Sequence, residues 1–160
     1  MFIEKIQLDE FYFSFGTKLY TEDTLCIYRS GKVAFYRYRE DRTIEHTEWK
    51  IPMSTISLLS RLAHVSNFPR FYKSYMPRLK ELTPRSLPME HAHDYYCVYH
   101  LSIKMEIGRD KTTIFSMMNT DTPARLKSLT EQIVELSGVK EQVRGAFVFC
   151  RLPEYSDVRE

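Results

Sequence analysis

Four prolines, Pro69, Pro77, Pro84 and Pro88, fall within the stretch PRFYKSYMPRLKELTPRSLPMEH. Proline lacks the backbone donor and restricts the residue before it, so no long helix or strand crosses this region. A short helical turn at PRLKEL, with Pro77 at its first position, is the regular piece it admits. The stretch 69–90 therefore reads as one long irregular connection, and connections of that length inside compact domains tend to carry function. Before it lie β-rich runs followed by an amphipathic helix, and the same rhythm of hairpin then helix returns after it. Residue identity between the halves is negligible, too little to establish a repeat.

In the first half, FIEKIQL is strand-like although Phe2, Lys5 and Leu8 break strict alternation. EFYFSFG places Phe11, Phe13 and Phe15 on one face. In TLCIYRSGKVAFYRYRE, Ser30-Gly31 separates two β-rich runs, which signals a hairpin. Tyr36 and Tyr38 share one face of its second arm, Arg37 and Arg39 the other. One face is expected under a helix, with the arginines exposed and paired to Glu45 or Glu48 across the strands. TIEHTEWKI is a weaker strand, suited to an edge position. The helix STISLLSRLAHVSNF follows, with Ser54 or Thr55 as its expected cap and Ile56, Leu59, Leu62, Ala63 and Phe68 as its buried stripe.

In the second half, YYCVYHLSIKMEI and KTTIFSMM flank GRD as a hairpin, with Ile103, Met105 and Ile107 among the inward positions. DTPARLKSLTEQIVELSG is the clearest helix. Asp121 or Thr122 caps it and Pro123 fits its first turn. Leu126, Leu129, Ile133 and Leu136 form its stripe, and Gly138 stands where a left-handed residue ends a helix. GAFVFCRL reads as a last strand, and residues 153–160 as a frayed tail.

The predicted fold is α+β: an antiparallel sheet built from hairpins, with two amphipathic helices packed on one face. A chain of 160 residues, 43% hydrophobic and 28% charged, is expected to bury one core as a single domain over 1–160. A net charge of +2 does not by itself call for nucleic acid. Three cysteines, Cys26, Cys97 and Cys150, do not resemble a disulfide framework. Acidic Glu4 and Asp9 interrupt any signal-peptide core, and no apolar run approaches the ~18 residues of a membrane helix. A reducing, cytoplasmic location is expected.

Sites of chemistry are sparse. In HAHD, His91 and His93 would point the same way on a strand, and two such imidazoles bind zinc when a third ligand joins them, here His100, Asp94 or Cys97. No CxxC or HExxH pair supports them, and a polar turn explains them more simply. The cysteines have apolar or aromatic neighbours, which raise a thiol pKa and make it inert. No GxSxG, GxxxxGK[ST] or GxGxxG stretch occurs, so no cofactor is implied and the balance leans away from an enzyme. Residues 61–85 concentrate Arg61, Arg70, Lys73, Arg78, Lys80 and Arg85 against Glu81, interleaved with Phe68, Phe71, Tyr72 and Tyr75. That mixture suits a protein interface. It also suits phosphate and base contacts.

Three functions follow as expectations. The first is a small non-catalytic interaction module, of inhibitor, immunity or adaptor type. It binds a protein partner, or a second copy of itself, through the 69–90 loop and the adjacent sheet edge. Its contacts would be Arg70, Phe71, Tyr72, Lys73, Tyr75, Met76 and Arg78, since Tyr and Arg combine area with directional bonds. The second is a nucleic-acid-binding domain using the basic stretch. The third is a metal-dependent enzyme at His91 and His93.

Overall fold

A computed structural model describes residues 3–14, 19–39, 42–65, 97–107, 110–117 and 124–147 of the chain. Six strands appear in chain order: β1 (Ile3–Ser14), β2 (Leu19–Tyr28), β3 (Lys32–Tyr38), β4 (Ile44–Lys50), β5 (Cys97–Ile107) and β6 (Asp110–Met117). Helix α1 (Met53–Val65) precedes β5, while α2 (Ala124–Ser137) and the short α3 (Val139–Gln142) follow β6. The strands form one antiparallel sheet in the order β4-β3-β2-β1-β5-β6. The fold is therefore α+β, with helices packed on an antiparallel sheet.

Period-two alternation sets the core. Ile6 and Leu8 of β1 stand opposite Ile27 and Leu25 of β2, which stand opposite Val33 and Phe35 of β3. Met105 and Ile103 extend these rows on β5. All of them are buried, and α1 contributes Ile56, Leu59 and Ala63 to the same cluster, α2 Leu129, Ile133 and Val134. Each such side chain removed from water stabilises the fold by about 1.5–3 kcal/mol. A shift of register between Ile3 and Lys5 explains the broken alternation of FIEKIQL. The extra residue of this bulge returns Ile3 to the core side beside Ile6. There its N–H donates to the Ser60 hydroxyl of α1 at 3.2 Å.

Two glycines fix the connections. Gly31, at φ 90°, closes the β2–β3 hairpin, its N–H donating to the Tyr28 carbonyl. Gly138, at φ 75°, ends α2 in the left-handed conformation that its sequence position predicts. The Trp49 indole N–H of β4 donates to the carbonyl of Ser137, tying the end of α2 to the sheet at 2.7 Å.

Two local expectations are corrected. Helix α1 starts at Met53, and the Pro52 carbonyl accepts from the amides of Thr55 and Ile56. Ser54 and Thr55 thus lie inside the first turn rather than capping it. The predicted strand GAFVFCRL does not begin at Gly145, because residues 144–147 are turns. The expected cap at Asp121 or Thr122, the last part of that strand and residues 153–160 lie outside the described residues.

Candidate functional site

The apolar rows of the helix-covered face end in a charged one. Glu10 of β1 stands opposite Asp23 of β2, Asp23 opposite Arg37 of β3, and Arg37 opposite Glu45 of β4. Glu10 is 2% exposed and Asp23 1%. The Arg37 side chain, 14% exposed, grips Asp23 with two bonds, Nε to Oδ1 at 2.8 Å and Nη2 to Oδ2 at 3.2 Å. Its guanidinium lies 5.5 Å from the centre of the Phe35 ring. The hydrogen bond to Asp23 raises the Arg37 pKa above its ordinary value, against the opposing effect of burial, with further support from Glu45 and Glu10. Arg37 is thus not the exposed surface residue that its sequence suggests. Period two from Val33 and Phe35 carries it to the helix side.

The same row holds the segment after α3. Phe147 N–H donates to Asp23 Oδ2 at 3.1 Å, and the Arg144 carbonyl accepts from Arg37. Phe147 is fully buried, edge-on to Phe35 with centroids 6.0 Å apart, at a φ of 53° that bulky residues rarely adopt. Chemically this is a fastening. The Asp23 carboxylate is engaged on both oxygens, and the charged groups hold each other and the backbone.

The opposite face is open at its β4 end, where Ile44, His46, Glu48 and Lys50 are exposed, and closed toward β2, where Thr24, Cys26 and Ala34 are buried. Asp9 accepts from the Thr24 hydroxyl at 2.6 Å and from the Gln7 amide at 3.1 Å. Cys26 is buried beside Ala34. Burial pushes its thiol pKa up, with Lys5 acting in the opposite direction, so it is a poor nucleophile, as its apolar neighbours in the sequence imply.

A different chemistry appears at the corner where β3 meets β4. Tyr36 stands opposite His46 and Tyr38 opposite Ile44, giving a two-by-two patch on the open face. The Tyr36 and His46 rings are parallel within 1°, their centroids 4.6 Å apart. Ile44 is 60% exposed, a large apolar side chain left in water at the rim of the sheet. Polar pairs flank the patch on its own face, His46 with Glu48 at 3.1 Å and Lys32 with Glu48 at 3.4 Å, while Arg39 pairs with Glu45 at 2.6 Å on the helix side of the same strands. Burial raises the Tyr38 pKa above its ordinary value, helped by Glu22. Arg39 pairs with Glu45 as expected, whereas the tyrosines occupy the open face in place of the arginine pair.

The sequence-predicted contacts Arg70, Phe71, Tyr72, Lys73, Tyr75, Met76 and Arg78 lie outside the described residues, as do His91 and His93. Among the described residues, no group of three or more His, Cys, Asp or Glu side chains converges as a metal site. No described helix is long and apolar enough to cross a membrane. No protein-family model matches the chain, and no curated protein matches it.

Proposed function

We propose that this chain is a non-catalytic protein-interaction module that binds its partner along the outer strand β4 and the adjoining corner of the open face. The observation that carries the reading is the patch of Tyr36, Tyr38, Ile44 and His46 with its charged frame. Aromatic residues at the centre and polar groups at the rim are the composition of a protein interface. The Tyr36 and His46 rings already stack on each other, and a contact made before binding lowers the entropy lost on binding. Covering the exposed part of Ile44 would contribute about 1–2 kcal/mol. The 69–90 stretch, rich in Tyr, Arg and Met, would add to the same kind of surface by its composition.

The test is affinity capture from native extract, with and without nuclease, using wild type and Ile44→Asp side by side. The expected result is a stoichiometric protein retained by wild type and lost from the variant, with the melting temperature unchanged. Equal capture by both chains would retract the surface. Material that disappears on nuclease treatment would favour a nucleic-acid partner.

A further inference from the structure

The outer edge of β4, which no strand pairs among the described residues, is self-complementary, and we infer that a second copy of this chain pairs with it, antiparallel, about a two-fold axis at Thr47. The inference rests on the protein-binding reading above for the location of the surface. It adds the identity of the partner and the register.

Backbone geometry decides which groups face outward. Arg39 N–H donates to the Thr43 carbonyl at 3.0 Å, and Ile51 N–H to the Gly31 carbonyl at 2.9 Å. These bonds bracket a β3–β4 register without a shift. Alternate residues of an antiparallel strand turn both backbone groups to the same side. Glu45, Thr47 and Trp49 therefore bond inward to β3. Ile44, His46, Glu48 and Lys50 present N–H and C=O outward, and these groups have no partner among the described residues.

With the axis at Thr47, Ile44 of one copy faces Lys50 of the other, and His46 faces Glu48. All four outward residues then exchange both backbone bonds with a counterpart. On the open face, imidazole donors and carboxylates alternate around the axis, repeating between copies the His46–Glu48 contact that each copy already makes. The Lys50 stem lies over the exposed Ile44, while its ammonium stays in water. Neighbouring registers fail on charge. An axis at Glu48 sets Glu48 against Glu48 and His46 against Lys50. An axis at His46 sets Lys50 against Arg42. Like groups directly opposite each other destabilise a sheet.

Sedimentation and cysteine cross-linking test the pairing on the full chain. Thr47 would face its own counterpart at a Cα separation of about 4.5 Å, within disulfide range. Thr47→Cys is expected to form a disulfide dimer under mild oxidation. Glu45→Cys, with Cα atoms about 14 Å apart across the axis, is not. Wild type is expected to sediment as a dimer. His46→Glu should weaken that dimer about tenfold, because symmetry counts the repulsion from Glu48 twice. Adding Glu48→Lys to His46→Glu should restore it. A wild type that stays monomeric at every concentration, or a cross-link through position 45 rather than 47, overturns the inference. If that monomer still captures a host protein through Ile44, only self-pairing is lost. If capture is also insensitive to Ile44→Asp, the protein-binding reading falls with it.

Discussion

Replacing Asp23 with alanine should be among the most damaging single changes at a polar position. Its carboxylate accepts two bonds from Arg37 and one from the amide of Phe147. Both ionic side chains are largely out of water, at 2% and 14% exposed. Removing one member of such a pair strands the other and costs about 3–5 kcal/mol. Glu10 and Glu45 still act on Arg37, which lowers the penalty, while the orphaned Phe147 amide adds to it. The expected loss is about 3–4 kcal/mol. Urea unfolding followed by Trp49, the single tryptophan, measures it, with an unchanged slope against denaturant. Arg37→Ala and the double variant complete a cycle, and a coupling of about 2 kcal/mol is expected. A loss for Asp23→Ala below about 1 kcal/mol, or single effects that simply add, would refute the buried pair as the fastening of this face.

Gly31→Ala should cost about 2–3 kcal/mol, because φ is 90° and the new Cβ would meet the Ile51 carbonyl oxygen at 2.6 Å. Gly138→Ala should cost about 1–2 kcal/mol, since its nearest neighbour would stand at 3.6 Å and only the left-handed backbone is strained; equal losses in thermal unfolding would contradict the contrast. The Cys26 thiol has a raised pKa in the fold, so the folded state keeps its proton longer than the unfolded chain. That contribution is complete below the ordinary thiol value near 9.0 and is lost as pH rises through the folded one. Wild-type stability should therefore fall more steeply above pH 9.0 than that of Cys26→Ala, and peptide mapping should find Cys26 unalkylated in the native protein at lower pH. Parallel slopes would contradict it.

Local signals in the sequence located the Ser30-Gly31 and β5–β6 hairpins, the described stripe residues of α1 and α2, and Gly138, because each depends on a few neighbouring residues. The side chosen by Arg37 depended on a longer pattern. Ile6-x-Leu8-x-Glu10, Asp23-x-Leu25-x-Ile27 and Val33-x-Phe35-x-Arg37 each end two apolar positions with a charge on the same face. Aligned through the hairpin register, they bring two acids and an arginine into one buried row. Read one strand at a time, each charge looked like surface. The Tyr36, Tyr38, Ile44 and His46 patch was hidden for a related reason. Tyr36 and Tyr38 share a face in the sequence pattern, but only the pairing of β3 with β4 brings His46 and Ile44 beside them. The turn at 144–147 had no local signal against the β-rich letters of GAFVF, because Asp23 and Arg37 hold it from the sheet.

The most direct test of the β4 surface is residue-resolved amide exchange on isotope-labelled chain, measured dilute, concentrated and in unlabelled native extract. In the dilute chain, Glu45, Thr47 and Trp49 should be protected by their bonds to β3, while His46, Glu48 and Lys50 exchange quickly. On binding, whether to a second copy or to another protein, the fast set should become protected. If those three amides exchange equally fast in all conditions, nothing pairs with this edge and the proposed interaction surface is wrong.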